Sequence, residues 1–335
     1  MKRKFLITGA AGFVGFHLCN TLLATGAEVV GLDAFIDAYD PRLKRWRAQQ
    51  LATAWPRFRC VEGDVTDPAQ IEMARNLAAE NFALADWTPD VVVHLAARAG
   101  VRESVCDPTL YYQVNVVGTL NVLEFCRRRK VPKFVLASSS SVYGANAIQP
   151  QRESLSTDAP CSPYAASKKA AEVTAYTYHA LHGLDVSVLR FFTVYGPAGR
   201  PDMSVFRFIR NIAEGDPIIV YGDGTQSRDF SYVDDVVRGI CSATLPFHYH
   251  TFNLGGDHPV VLNDVIAGIA RRVGREPVID RREPHPADIP ATWADITQAR
   301  NLLDWEPRVR IDEGLDRCVE WYMEHREMAK NLLRD

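Results

Sequence analysis

The chain has 335 residues, of which 47% are hydrophobic, 24% are charged and 10% are aromatic. This length allows one large α/β domain or two coupled domains, and the ordinary composition excludes a disordered, collagen-like or coiled-coil protein. The formal net charge of −3 gives no overall positive field for nucleic acid or for an anionic membrane surface, so we expect neither as a partner.

Short apolar segments alternate with longer helical patterns through the first 190 residues. The pattern predicts strands at 5–8, 28–33, 59–61, 91–95, 134–137 and 186–191, and helices near 14–25, 69–80, 111–129 and 164–182. Such alternation is typical of a Rossmann-type α/β fold, a doubly wound parallel sheet covered by helices on both faces. After residue 195 the pattern becomes irregular and rich in glycine and proline, although helices are still predicted at 234–244, 262–272 and 311–326.

The first predicted strand leads directly into a glycine-rich loop and then into a helix. The loop reads Thr8-Gly9-Ala10-Ala11-Gly12-Phe13-Val14-Gly15. Glycines at this spacing let the backbone lie against a pyrophosphate, and the N terminus of the following helix offers N–H groups to that anion. A glycine triplet alone also fits a simple tight turn, but the order of strand, glycines, helix and second strand predicts a dinucleotide site.

Asp33 ends the second predicted strand, 18 residues after Gly15. A carboxylate there accepts hydrogen bonds from both hydroxyls of the adenosine ribose. No Arg or Lys follows within the next several residues to bind a 2′-phosphate, so the sequence favours NAD over NADP as the cofactor. Asp64 and Val65 follow the third predicted strand, where a carboxylate would face the adenine.

Tyr164 and Lys168 are four residues apart and therefore share one face of a predicted helix. A phenol with a pKa near ~10 is a poor base at neutral pH, but a neighbouring ammonium and a positively charged nicotinamide favour the phenolate. A core tyrosine next to a surface lysine is the alternative. The serine run 138–141, at the end of a predicted strand, argues against it because Ser139 can share the tyrosine proton.

These residues resemble those of the extended short-chain dehydrogenase/reductases that act on nucleotide sugars, over nearly the whole chain. The shared motifs are the 8–15 loop, His94-Leu95-Ala96-Ala97, Asn115, the Ser139, Tyr164 and Lys168 triad, and Arg228-Asp229-Phe230. Segments 37–45, 99–102 and 191–203 are similar to those of the UDP-glucuronate 4-epimerases within that family.

The resemblance implies an NAD-dependent isomerase that inverts C4 of a UDP-sugar through a 4-keto intermediate, most simply UDP-glucuronate to UDP-galacturonate. Tyr164 would be the acid and base, Ser139 its proton partner, and Lys168 the cation that holds the nicotinamide ribose and the tyrosine pKa. The residues expected to contact NAD are Gly9, Gly12, Phe13, Val14, Gly15, Asp33, Asp64, Val65, Leu95, Ala96, Ala97, Tyr164 and Lys168.

The resemblance also implies the residues expected to contact the UDP-sugar, which are Ser139, Ser140, Ser141, Thr193, Asn115, Arg200, Arg228 and Tyr221. Ser141 stands where related dehydratases and decarboxylases have a carboxylate, which favours epimerisation. Arg200 and Arg102 are candidate partners of the sugar carboxylate or solvated surface residues, and Asn115 could equally be a structural amide. His285 stands where many relatives have Arg or Gln, and its role is left open.

We expect residues 1–193, together with about 230–256, to form the NAD-binding domain, and 194–335 the UDP-sugar-binding region. Seven cysteines without a C-x-x-C pair, and an N-terminal apolar run too short for a signal peptide, predict a reduced, cytoplasmic protein without a metal site. The resemblance implies a homodimer through the helices near 111–129 and 164–182. A 4-epimerase of another UDP-hexose or N-acetylhexosamine derivative, and a non-catalytic NAD-binding regulator, are the alternatives.

Overall fold

The computed structural model describes residues 2–83, 86–145, 148–283 and 289–332. Its strands are β1 Lys4–Thr8, β2 Glu28–Asp33, β3 Arg59–Glu62, β4 Val91–His94, β5 Lys133–Ser139, β6 Asp185–Phe191, β7 Thr193–Tyr195, β8 Ile218–Tyr221, β9 Ser227–Tyr232, β10 Tyr249–Leu254, β11 Pro259–Val261 and β12 Ile279–Arg282. Seven of these strands form the main sheet, in the order β3-β2-β1-β4-β5-β6-β10.

The α-helices cover both faces of that sheet and build most of the C-terminal part. They are α1 Phe13–Ala24, α2 Pro41–Ala54, α3 Pro68–Asn81, α4 Glu103–Cys106, α5 Pro108–Tyr112, α6 Gly118–Arg129, α7 Pro163–His182, α8 Ser204–Glu214, α9 Val233–Ser242, α10 Leu262–Val273, α11 Thr297–Leu303, α12 Ile311–Glu324 and α13 Arg326–Ala329. No helix within the described residues is long and apolar enough to cross a lipid bilayer.

All neighbouring strands of the main sheet are parallel, so the prediction of a doubly wound parallel sheet is confirmed. Successive residues of β1 point to opposite faces: Phe5 and Ile7 belong to one apolar core, and Leu6 belongs to the other. Both faces are therefore buried, which explains why the strands read as nearly continuous apolar runs.

The seventh strand of the main sheet comes from the C-terminal half of the chain. β10 pairs in parallel with β6, so that Leu254 lies opposite Phe191. The remaining strands form two small sheets, β11-β9-β7 and β12-β8. The three-stranded sheet lies beside the carboxyl end of the main sheet because β7 begins two residues after β6 ends.

The sequence pattern did not predict two of the longer helices, α2 and α8, or the short helices α4, α11 and α13. The Arg and Gln residues of α2 obscure its apolar periodicity, although Asp40 accepts a hydrogen bond from the Arg42 N–H and Pro41 opens the helix, which is an ordinary helix start. The α8 segment lies among glycines and prolines, which concealed a strongly amphipathic helix that ends at Gly215.

The helix predicted at 111–129 is divided in the structure. A π-helical turn, Gln113–Val117, separates α5 from α6. Such turns add one residue to the helix and occur often at functional sites. Here the turn contains the buried amide of Asn115.

Arg47 of α2 ties the glycine-rich loop to the C-terminal part of the molecule. Its side chain is completely buried. The guanidinium donates to the main-chain oxygens of Ala11, Ala198 and Gly199 and to the hydroxyl of Tyr39, at 2.6–3.2 Å. One side chain therefore satisfies three buried carbonyls from two distant segments.

Candidate active site

A cavity of about 310 Å³ opens at the carboxyl ends of β1, β2, β4 and β5. Ligands bind at this edge of open parallel sheets, and the volume is within the range of small-molecule sites. The residues that we expected to contact the cofactor all line it, namely Gly9, Gly12, Phe13, Val14, Gly15, Asp33, Asp64, Val65, Leu95, Ala96, Ala97, Tyr164 and Lys168.

The glycine-rich loop lies so close to its neighbours that side chains do not fit. Gly9 has φ +72°, and a Cβ on it would lie 2.7 Å from the main-chain nitrogen of Ala96. A Cβ on Gly15 would lie 2.1 Å from the carbonyl oxygen of Gly9. Among the described residues no side chain caps α1, so its first N–H groups remain available to an anion. These features fit the pyrophosphate of a dinucleotide.

Asp33 is held in place by the loop that it faces. Its carboxylate accepts hydrogen bonds from the main-chain N–H groups of Ala11, at 3.0 Å, and Phe35, at 2.9 Å. The ammonium of Lys44 on α2 lies 3.9 Å from the same carboxylate. A cation therefore stands at the ribose end of the cavity, although the sequence indicated none nearby. The absence of a nearby cation therefore no longer supports the expectation of NAD over NADP, which is left to the carboxylate of Asp33.

The catalytic candidates meet at the other end of the cavity. Ser139 is the last residue of β5, and Tyr164 and Lys168 lie in the first two turns of α7. Ser162 caps this helix by accepting a hydrogen bond from the N–H of Ala165, which fixes where the helix begins. The ammonium of Lys168 donates to the carbonyl oxygen of Ala137 at 2.8 Å.

The charges around Tyr164 differ from the expectation. Burial raises its pKa, while a hydrogen bond from Ser139 and the positive charge of Arg200 oppose that rise. We expected Lys168 to provide the opposing charge, but in this structure its ammonium is occupied with a main-chain carbonyl. Burial lowers the pKa of Lys168 to about 8, and the carboxylate of Glu172 counteracts this shift.

Of the residues expected to contact the sugar, Ser139 and Arg200 line the cavity. The guanidinium of Arg200 is held by the carboxylate of Asp202, at 2.5 and 3.1 Å, and its positive charge acts on Tyr164. Asn115, by contrast, is 1% exposed, and its side chain makes hydrogen bonds within the protein. Its amide bonds both main-chain groups of Arg98 and the hydroxyl of Ser167, so it positions the loop after β4 against α7.

The other expected substrate residues lie outside the lining of this cavity, as far as the described residues show; they are Ser140, Ser141, Thr193, Arg228 and Tyr221. Thr193 lines a small adjoining cavity that shares Arg200. The guanidinium of Arg228 donates to the carbonyl oxygens of Ser227 and Pro290, and that of Arg102 lies 3.8 Å from the ring centre of Tyr221. His285 lies outside the described residues.

Sequence reasoning did not identify Lys44, Tyr39 and Arg98, which also line the cavity. Lys44 and Tyr39 come from α2 and the residues just before it, and the ammonium lies 5.1 Å from the ring centre. The Asp40-Pro41 pair could have indicated that helix. Nothing in the local pattern indicates that its lysine faces Asp33, because this contact depends on how α2 packs.

The chain belongs to the NAD dependent epimerase/dehydratase family, whose sequence model matches residues 5–255. This family assignment agrees with the sheet, the glycine-rich loop and the serine, tyrosine and lysine at the cavity.

Individual relatives extend over the whole chain. A UDP-glucuronate 4-epimerase of Thermodesulfobacterium geofontis is 46% identical over 98% of both chains. The UDP-glucuronic acid 4-epimerase of Bacillus cereus, solved in complex with UDP-glucuronic acid and NAD, is 35% identical with a TM-score of 0.84, covering 97% of this chain and 99% of that one. A UDP-glucose 4-epimerase of Thermotoga maritima, solved with UDP-glucose, is 29% identical with a TM-score of 0.83, covering 96% and 98%.

We expect the substitution Asp33→Ala to weaken retention of NAD by roughly 10- to 100-fold, since a hydrogen bond to a charged group contributes about 1.5–3 kcal/mol. The variant also leaves the ammonium of Lys44 without its carboxylate, so affinity for NADP relative to NAD should rise. Calorimetry with both dinucleotides on cofactor-stripped protein measures these changes. Asp37→Ala, an exposed carboxylate nearby, is the control. Unchanged NAD affinity would mean that the adenosine ribose is held elsewhere.

Proposed function

We propose that this protein is a UDP-glucuronate 4-epimerase that interconverts UDP-glucuronate and UDP-galacturonate on a bound NAD⁺. The observation that carries the proposal is the meeting of Ser139, Tyr164 and Lys168 at one end of a cavity whose other end is the glycine-rich loop and Asp33. The similarity to UDP-glucuronate 4-epimerases over nearly the whole chain supports the same reaction.

Tyr164 acts as the acid and base of this reaction. Its phenolate oxygen accepts the proton of the sugar 4-hydroxyl, and Ser139, which donates a hydrogen bond to that oxygen, stabilises the negative charge. NAD⁺ held by the glycine-rich loop, Asp33 and Lys168 would supply the acceptor for the hydride of C4 and the donor that returns it to the opposite face of the 4-keto sugar. Tyr164 then gives its proton back to the C4 oxygen, so that the enzyme ends each cycle unchanged.

Lys168 supplies a fixed positive charge beside this chemistry. One of its N–H groups is committed to the carbonyl oxygen of Ala137, which fixes the direction of the side chain. Its other donors are available to the hydroxyls of a nicotinamide ribose, since an ammonium has three. Arg200 already favours the ionised form of the phenol. The positive charges of Lys168 and of a bound nicotinamide would add to this effect once the cofactor is in place.

Arg200 is the side chain best placed to bind the sugar carboxylate. It lines the same cavity as Tyr164, and its Asp202 partner holds the guanidinium plane fixed. The hydroxyls of Ser139 and Ser141 lie 3.2 Å apart at the end of β5 and add neutral donors nearby. Neutral donors bind a carboxylate while leaving it free to turn, as inversion at C4 requires.

Purified protein should retain NAD and convert UDP-glucuronate to UDP-galacturonate without added cofactor. Tyr164→Phe should retain NAD but lose turnover by about 100- to 10,000-fold, because it removes the acid and base and little volume. Chromatography of the two sugars measures both. Tyr111→Phe is the matched control, since that ring packs against Tyr164 and its hydroxyl bonds a main-chain oxygen. Retained NAD without turnover in the unsubstituted protein would favour a non-catalytic NAD-binding regulator.

Arg200→Gln should discriminate between UDP-glucuronate and another UDP-hexose as the substrate. Loss of a charged partner should raise KM for UDP-glucuronate by roughly 10-fold or more. The KM for UDP-glucose, which has no carboxylate, should change much less. Steady-state kinetics with both sugars provide the measurement. An equal rise in KM for both sugars would mean that Arg200 acts on Tyr164 and does not bind the sugar carboxylate. A preference of the unsubstituted protein for UDP-glucose would favour a neutral UDP-hexose as the substrate.

We also propose the domain organisation expected from the sequence. Residues 1–193, together with about 230–256, bind the cofactor, and residues 194–335 bind the UDP-sugar. In support, the residues of the glycine-rich loop and the acids after β2 and β3 belong to the first part, and β10 extends its sheet. The cytoplasm is the proposed compartment, supported by seven cysteines that are all free thiols.

The proposed oligomer is a homodimer through α6 and α7, which pack side by side. The support is a set of large apolar side chains exposed on α5, α6, the intervening π-helical turn and α7, namely Tyr112, Val117, Leu120, Val173 and Tyr176. Such a patch is unusual on a monomer and fits a second copy of the same helices.

Leu120→Glu combined with Tyr176→Glu should convert a dimer into a monomer, because the charges would be buried between the copies. Light scattering coupled to size-exclusion chromatography measures the mass. Met73→Glu, which changes a similarly exposed apolar residue on α3, is the control and should leave the dimer intact. A dimer that survives the double substitution would contradict this interface.

A further inference from the structure

A buried carboxylate lies one helical turn beyond the catalytic lysine. Glu172 of α7 is only 4% exposed. It accepts hydrogen bonds from two nitrogens of Arg190 on β6, at 2.8 and 2.9 Å, and from the hydroxyl of Ser138, at 2.5 Å. Ser138 directly precedes Ser139, so Glu172 is hydrogen-bonded to the neighbour of one catalytic residue. It also lies one helical turn after a second catalytic residue, Lys168.

The ion pair continues into a network behind the catalytic end of the cavity. Another nitrogen of Arg190 donates to the hydroxyl of Tyr143, at 3.1 Å, and to the carbonyl oxygen of Glu153, at 3.3 Å. The hydroxyl of Tyr143 donates in turn to the side-chain oxygen of Asn253 on β10, at 2.7 Å. The network therefore fixes α7 against the ends of β5, β6 and β10.

Fold stability alone does not account well for such a pair. Removing two charges from water is costly, and apolar residues of similar volume often stabilise a protein equally well or better. A second, largely buried ion pair joins Lys133 at the start of β5 to Asp185 at the start of β6. The Lys133–Asp185 pair lies at the edge of the sheet away from the cavity. Both ion pairs therefore involve β6, but only the Glu172–Arg190 pair lies near the catalytic residues.

The titratable and charged groups around Lys168 and Tyr164 come from three elements. On α7 are Tyr164 and Glu172; on β4 is His94, which is neutral because burial lowers its pKa to about 3. Arg200 acts on Tyr164 from the loop after β7. Glu172 is the carboxylate that opposes the loss of the Lys168 proton.

We propose that Glu172, clamped by Arg190 and Ser138, is a positioning residue that keeps Lys168 as an ammonium and fixes the end of β5 that carries Ser139. The proposal rests on the proposed function, in which an ammonium must remain beside Tyr164 while the phenol exchanges its proton. Without the negative charge, Lys168 loses its proton at a lower pH, so the alkaline limb of the activity profile moves toward neutrality.

The test uses Glu172→Gln, which keeps the shape of the side chain and removes its charge. We expect kcat for UDP-glucuronate at pH 8 to fall roughly 10-fold, and the alkaline limb of the kcat profile to move down by about one pH unit or more, as for loss of a nearby opposite charge. Independently of activity, NMR of labelled lysine, assigned by its absence in Lys168→Arg, should show the same downward shift in the titration of Lys168.

The matched control is Asp185→Asn, which breaks the second buried pair. It should lower the melting temperature as Glu172→Gln does, but leave both the alkaline limb and the titration of Lys168 in place. If Glu172→Gln does not fold, Glu172→Gln combined with Arg190→Met removes both charges together and should show shifts in the same direction, smaller because the positive charge of Arg190 is lost as well. Superimposable profiles and lysine titrations in the Glu172 variants and the unsubstituted protein would overturn the proposal. Inactivity of the unsubstituted protein would instead count against the proposed function.

Discussion

One buried guanidinium connects the parts of the site that must work together. Arg47 donates to the carbonyl of Ala11 in the glycine-rich loop and to those of Ala198 and Gly199, next to Arg200. Without it, three buried carbonyls would lack a donor, which is costly in a protein interior. The separation between the glycine-rich loop and the cation that acts on Tyr164 is therefore set by a side chain outside the lining of the cavity.

The two ends of the cavity use charge in different ways. At the end with the glycine-rich loop, Asp33 and Lys44 face each other at 3.9 Å, so the carboxylate expected to accept from the ribose also neutralises the adjacent cation. At the reactive end, the positive charge of Arg200 acts on Tyr164 and opposes the effect of burial, which raises the pKa of the phenol. This charge lies where the proposed reaction would generate a phenolate.

Features encoded by neighbouring residues could be predicted from the sequence. Strands β1 to β6, the glycine-rich loop and the Tyr164 and Lys168 pair depend on local periodicity and spacing, and the structure has them where they were expected. The seventh strand of the main sheet, β10, was not predicted as a strand. Contacts made by packing could not be predicted. Lys44 reaches Asp33 only through the placement of α2, and Asn115 is committed to Arg98 and Ser167 by a π-helical turn that no periodicity indicates.

The order of strands has a consequence for how the chain is made. The chain leaves the main sheet after Phe191 and returns to it at Tyr249. Strand β6 therefore has only β5 as a hydrogen-bonded neighbour until β10 is added. On the ribosome, one edge of a nearly finished sheet stays open until the intervening segment has emerged. A chain released before that point presents unpaired N–H and carbonyl groups to other chains, so incomplete synthesis favours aggregation rather than a smaller working protein.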